Sequence, residues 1–203
     1  MATQLFLVND LRSDDSESSD TDFALSTTRG TGSVSDSVNT VAGPTSGVQL
    51  ASGAPRSWWY RVNAVTISGA ITKNLWFRES NMAANAGAQV IIDRHDSALA
   101  FVSTVANHER GVELVVGVDT AENWATGTVT STTFADGDYI RVRVYINDVG
   151  TMASGHTATF NYDGPTAAAL GDSYVTFTET IDAYVPAAPR VPYSTPMPQL
   201  LAQ

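Results

Sequence analysis

The cleanest periodicity in the chain runs from Tyr139 to Ile146, where Ile140, Val142, Val144 and Ile146 alternate with Tyr139, Arg141, Arg143 and Tyr145. Successive side chains of a strand point to opposite faces, so this segment predicts a strand with one apolar face and one face of cations and rings. Period-two patterning or β-branched and aromatic enrichment marks further strands at Gln4 to Asn9, Val90 to Arg94, Leu99 to Val105, Gly111 to Val118, His156 to Tyr162 and Tyr174 to Thr180. Ser57 to Ile67 (SWWYRVNAVTI) runs through a Ser68-Gly69 turn into Ile71 to Arg78 (ITKNLWFR), which predicts a hairpin or a tight switch between strands. The body thus holds about eight strands, with up to three more in the flanks.

No window of 12 or more residues carries a helical period, and Ser80 to Ala88 has room only for a turn or two. Short strands punctuated by Gly, Asp and Asn, with no helices to roof a parallel sheet, predict an all-β fold: an antiparallel β-sandwich, jelly-roll-like, with extended N- and C-terminal arms. Residues 1–54 read as an extended arm with short edge strands, residues 55–182 as the sandwich domain, and residues 183–203 as an extended tail. The N-terminal arm contains Asp10, Asp14, Asp15, Glu17, Asp20 and Asp22 among serines, a composition without an apolar face. The tail carries Pro186, Pro189, Pro192, Pro196 and Pro198, each unable to donate to a ladder.

Charge narrows the function classes. With 21 acidic residues against 11 basic ones, a formal charge of −10 and Lys73 as the single lysine, the chain lacks the basic cluster that phosphate-backbone binding needs, so no nucleic-acid partner is expected. The absence of cysteine removes disulfides, thiolate metal ligands and cysteine nucleophiles. Apolar runs fall short of a bilayer span and residues 1–20 are acidic where a signal peptide is basic and then apolar, so no membrane partner is expected. Charged residues make up only 16% of the chain, which predicts a surface rich in Ser, Thr, Asn and Gly or covered by partners.

Catalytic chemistry has little to stand on. His95 lies between Asp93 and Asp96 with Ser97 next, and His108 abuts Glu109. A run along one strand cannot bring nucleophile, base and orienter together, and no G-x-S-x-G elbow exists, so the His95 stretch is expected to be a polar loop between the strands at Val90 to Arg94 and Leu99 to Val105, and no catalytic residue is assigned. Glu109, Glu113 and Glu179 are not placed opposite one another by any spacing, which leaves no glycosidase carboxylate pair. Asp136 and Asp138 flank Gly137 before a strand and are the candidate ligands of a structural calcium, although D-G-D is also an ordinary turn. No cofactor is expected.

Two binding constellations remain. Trp58, Trp59, Trp76 and Trp124 are candidates for stacking on a glycan, against the alternative that they fill the core and an interface. Trp58 and Tyr60 share one strand face and Trp59 takes the other, which favours packing and interface. Trp59, Arg61, Arg78, Arg141 and Arg143 form the candidate interface, with Asp14, Asp15 and Glu17 of the arm, from the same or an adjacent copy, as the acidic side chains that arginine forks would dock.

The chain resembles structural proteins of tailed bacteriophages. The resemblance rests on the aromatic strand ending in I-S-G (Trp58 to Gly69), the tryptophan strand and Asn/Ala-rich segment (Leu75 to Ala88), the G-D-x-I-R-V-R-V-Y strand (Gly137 to Tyr145), and the Y-D-G-P turn (Tyr162 to Pro165) before a last strand. It implies a non-enzymatic virion protein on the capsid surface. Most directly this is a capsid decoration protein, stabilising the shell through contacts of its arms with the major capsid protein and with copies of itself in a homo-oligomer such as a trimer. A minor tail or baseplate protein and a carbohydrate-binding sandwich for host glycans are the alternatives.

Overall fold

In the computed structural model, which describes residues 1–11, 22–42, 48–49, 56–125 and 129–186, period-two patterning becomes a ladder almost everywhere it occurs. The strands are β1 (Thr3–Leu11), β2 (Asp22–Ser26), β3 (Val34–Asn39), β4 (Val48–Gln49), β5 (Arg56–Arg61), β6 (Val65–Ile67) and β7 (Ile71–Glu79), followed by β8 (Ala86–His95), β9 (Phe101–Glu109), β10 (Thr120–Ala125), β11 (Thr132–Phe134), β12 (Tyr139–Asp148), β13 (Thr157–Tyr162) and β14 (Tyr174–Phe177). One hydrogen-bonded path runs β3-β13-β7-β14-β1-β2-β5-β12-β8-β9, with β10 also on β7 and β4 on β12, while β6 and β11 form a separate ribbon. The helix-permissive stretch is a single 3-10 turn, Met82–Ala84, capped by the Asn81 side chain accepting from Ala83 N–H.

The path folds over so that its two halves share a core, which gives the all-β sandwich that the patterning predicts. Trp58 of β5 meets Phe160 and Tyr162 of β13 at ring distances of 5.7 and 5.2 Å, and Phe23 of β2 closes the group at 5.8 Å. Its indole N–H donates to the Val8 carbonyl of β1, so the largest core side chain also keeps its polar atom satisfied. The alternation in β12 is realised as expected: Ile140, Val142, Val144 and Ile146 are fully buried beside Val90 and Ile92 of β8.

Three features differ from the sequence expectation. All strand pairs are antiparallel except β2 with β5, which run parallel in the register Asp22 to Ser57 and Ala24 to Trp59. Parallel neighbours need a long crossover, and residues 27–55, carrying β3 and β4, supply it. Secondly, the N-terminal segment is not only an arm with edge strands, because β1 lies inside the path between β14 and β2 and buries Leu5 and Leu7 completely. Thirdly, Gly111 to Val118 is not a ladder strand. Leu114 N–H and Glu79 N–H make single backbone bonds to Ala86 and Val115, and Val112, Val115, Val116 and Val118 are exposed. Its valine content suggested a strand, but glycines at both ends, with Gly117 at φ 67°, turn the chain away after a few bonds.

β10 (TAENWA) was invisible to propensity because Ala, Glu and Asn are poor strand formers. Its six-residue register on β7, from Thr120 opposite Phe77 to Ala125 opposite Thr72, overrides that preference. In the proline-rich tail the first residues are tied down: Ala183 bridges Val62 and Tyr184 N–H donates to the Arg61 carbonyl. Residues 187–203 lie outside the described residues, as do Asp14, Asp15 and Glu17.

Truncating the aromatic hub should be severe. Trp58→Ala is expected to cost about 3–5 kcal/mol, read as a fall in the urea midpoint with unchanged slope; a loss under about 1 kcal/mol would show that the two halves of the path do not depend on this side chain.

Candidate functional site

The outward face of β5, β12 and β8 gathers the cations and rings that the alternation assigned to a wet face. Register places Arg61 opposite Tyr139, Trp59 opposite Arg141, and Arg141 opposite Asp93. Much of this face is nevertheless buried, because its side chains lie on one another. Trp59 is 6% exposed, with the Arg141 guanidinium 4.7 Å over its ring and the His95 ring edge-on at 4.7 Å. Both Nε and Nη2 of Arg141 donate to the Ser57 hydroxyl, at 3.0 and 2.7 Å. Arg143 instead pairs with the buried Asp93 carboxylate and donates to the Tyr145 hydroxyl at 2.8 Å. His95 Nδ1 meets the Leu99 carbonyl at 2.8 Å, and burial pushes its pKa down. This histidine ends β8, buried and held by a backbone carbonyl and two aromatic rings, where the sequence predicted a polar loop.

Of the expected interface arginines, Arg78 and Arg143 are consumed inside the fold. Arg78 pairs with Asp119 at 3.1 Å, and Asp119 in turn accepts from the Asn161 amide at 2.7 Å. Among the described residues, Arg61 and Arg141 have no carboxylate within ion-pair distance, and the arm acids Asp14, Asp15 and Glu17 expected to dock them lie outside the described residues.

The calcium expectation is corrected. Asp138 Oδ2 takes both Nε and Nη2 of Arg94, at 2.8 and 2.7 Å, together with Ala135 N–H, while Asp136 Oδ1 accepts from Ala64 N–H at 2.7 Å. These carboxylates clamp a turn, and among the described residues no group of three or more acids or histidines is placed to hold a metal ion. The tryptophans do not share a groove either. Trp58 is core, Trp59 lies under Arg141, Trp124 turns inward opposite Lys73, and Trp76 faces outward on β7. Stacking on one flat ligand would need them on one face.

Two groups that spacing arguments passed over are strongly perturbed by burial. Lys73 occupies the apolar phase of β7, with Ile71, Leu75 and Phe77, and is 2% exposed. Its ammonium hydrogen-bonds His108 Nδ1 across the sandwich and sits 5.7 Å from the Trp124 ring. Burial lowers its pKa from 10.5 to about 7. In the same phase, Glu79 is fully buried, and burial raises its pKa from 4.5 to about 7, assisted by the neighbouring Glu113 carboxyl and opposed by the N–H donated from Ala86. A lysine and a glutamate at apolar positions of an alternating strand were the signal available in the sequence. A third interior acid, Glu122, is covered by its pair with Arg110 at 2.6 Å.

Beside β1, β14, β7 and β10 an open hollow of about 430 Å³ is lined by the amides and hydroxyls of Gln4, Thr72, Asn74, Asn123, Tyr174 and Thr176 together with Lys73, Trp124 and Ala125. Register produces it: Gln4, Thr176, Thr72 and Ala125 form one row across four strands, and Tyr174, Asn74 and Asn123 form the next.

No family model matches the chain, and no curated protein matches it in sequence. Solved structures do match in fold. A CocE/NonD family hydrolase from Staphylococcus aureus superposes with a TM-score of 0.58 at 11% identity, over 87% of this chain and 36% of its own. An aminopeptidase from the marine sediment archaeon Thaumarchaeota archaeon gives 0.58 at 10% identity over 90% and 37%, and an α-amino acid ester hydrolase gives 0.53 at 11% over 87% and 36%. The chain spans about a third of the length of these hydrolases. What points toward a virion is slighter, a TM-score of 0.31 to the VP2 capsid protein of infectious bursal disease virus, which carries no argument. The expectation of a non-enzymatic phage decoration protein is therefore overturned: it was drawn from a strand-and-turn resemblance to phage structural proteins, and the solved structures that share this fold are hydrolases.

The interior ionisable groups make stability depend on pH in a defined direction. Between about pH 7 and 10.5 the unfolded chain holds a proton on Lys73 that the folded chain lacks, so stability rises with pH across that interval. Glu79 acts the other way: between pH 4.5 and about 7 the folded chain holds the extra proton, and stability falls as pH rises. Lys73→Met is expected to raise the urea midpoint at pH 7 and to flatten the rise from pH 7 to 10. A variant that keeps the wild-type slope would show that Lys73 titrates normally.

Proposed function

We propose that this chain is the β-sandwich region of a hydrolase that cleaves acyl bonds of esters or amides, working beside catalytic residues that lie outside the described sandwich. The observation that carries the reading is the correspondence of nearly the whole chain with about a third of three hydrolases, among them an aminopeptidase and an α-amino acid ester hydrolase. The side chains agree with it. Acyl transfer needs a nucleophile, a base and an orienting group within hydrogen-bond reach. In the sandwich, His95 is engaged by the Leu99 carbonyl and His108 by Lys73, both inside packed surroundings.

The reading is tested on the intact polypeptide or complex that carries residues 1–203, isolated from its source through a tag on this chain. Hydrolysis of α-amino acid esters or aminoacyl amides that co-elutes with the chain in size exclusion is the expected result. An intact preparation that turns over neither ester nor amide substrates would sink the proposal.

A further inference from the structure

Acids outnumber bases nearly two to one in this chain, so an arginine on the surface has carboxylates to choose from. Six of the arginines in the described residues take one. Arg29 pairs with Asp172, Arg56 with Asp36, Arg78 with Asp119, Arg94 with Asp138, Arg110 with Glu122 and Arg143 with Asp93, all within 3.1 Å. Arg61 and Arg141 do not, and the two are diagonal neighbours on one face of β5 and β12, through the pairs Arg61 with Tyr139 and Trp59 with Arg141. Diagonal positions on an antiparallel pair have Cβ atoms about 7–8 Å apart, within the span of two arginine side chains.

Both guanidiniums are held in place by neutral groups. Arg141 lies flat on Trp59 and is anchored by two bonds to one serine hydroxyl, so it spends Nε and Nη2 and keeps Nη1 unspent. Arg61 donates only Nε, to the Gly137 carbonyl at 3.1 Å, and lies between the Tyr139 and Tyr184 rings at 5.5 and 4.2 Å. Gly137, at φ 88°, lets the turn approach closely: a Cβ there would stand 3.3 Å from Arg61 Nη2. Among the described residues the nearest carboxylates are accounted for. Asp93 is committed to Arg143, Asp138 to Arg94, and Asp22 acts on Arg141 from beyond ion-pair reach. Burial and the adjacent Arg143 both disfavour the Arg141 charge, and Asp22 and Asp93 offset this only in part, so an added anion beside the guanidinium relieves the remaining cost. Rings and carbonyls that fix a guanidinium fork while leaving its outer N–H groups unspent create a preorganised oxyanion receptor.

We propose that Arg61 and Arg141 form a binding site for a small ligand bearing a carboxylate or phosphate group, seated on the outward face of β5 and β12 between Trp59 and the Tyr139/Tyr184 rings. The site is separate from the hollow beside β1, β14, β7 and β10 and does not depend on the hydrolase reading.

The test is a titration of the full chain, labelled with ¹⁵N-arginine, with malonate and separately with inorganic phosphate at ionic strength held constant by sodium chloride. Saturable movement of two Nε–H signals, assigned by Arg61→Gln and Arg141→Gln, is the expected result. Each single variant should weaken binding about tenfold or more, the double variant should abolish it, and Arg78→Gln should leave it unchanged. Saturation by malonate alone marks a carboxylate ligand, and saturation by phosphate alone a phosphate ligand. Shifts that track chloride equally, that spread over all arginines, or that persist in the folded double variant overturn the site; the wild-type titration decides even where a variant fails to fold.

Discussion

The contact of Trp58 with Phe23, Phe160 and Tyr162 is what makes a long hydrogen-bonded path into a sandwich. A sheet with one apolar face gains nothing by staying open, since burial of that face is the main favourable term in its folding. Trp58 joins β5 to β13, strands well separated along the path, and ties itself to β1 through the Val8 carbonyl. With that hub in place, Leu5, Leu7, Val142 and Val144 can all be fully buried.

Around this core the chain manages an excess of negative charge by local pairing. Carboxylates are used as clamps on turns and arginines: Asp138 holds Arg94 and the turn at Ala135, and Asp172 holds Arg29 and the N–H of Ala168. Such pairs fix geometry more than they add stability, because desolvation offsets much of their attraction. Polar groups in the interior follow another logic. Lys73 and Glu79 occupy apolar positions of β7, and the fold tolerates them by favouring their neutral forms and by giving each a hydrogen-bond partner.

The fold and the function separate at an instructive place. A sandwich with flanking extended segments suits a shell protein and a hydrolase region equally, since fold alone does not choose a chemistry. The strand-and-turn resemblance on which the virion reading rested describes how β-hairpins are punctuated, and residues such as Ser68-Gly69 or Asp163-Gly164 serve any protein with those turns. Superposition over nearly the whole chain redirected the reading, because it compares the path of the strands and not their punctuation.

The sequence by itself determined the all-β class, the inward face of β12, the division of Trp58 from Trp59 across β5 and the absence of thiol chemistry. Each follows from composition or from a period of two, and neither needs knowledge of what lies opposite. Tertiary structure decided the rest, because pairing is non-local. It made a strand of Thr120 to Ala125 by giving it β7 as a template, and denied one to Gly111 to Val118 despite its valines. It committed Asp136 and Asp138 to a turn, Arg78 and Arg143 to internal acids, and left Arg61 and Arg141 without them. Which carboxylate reaches which guanidinium is set by strand order and register, and the linear chain carries no record of either.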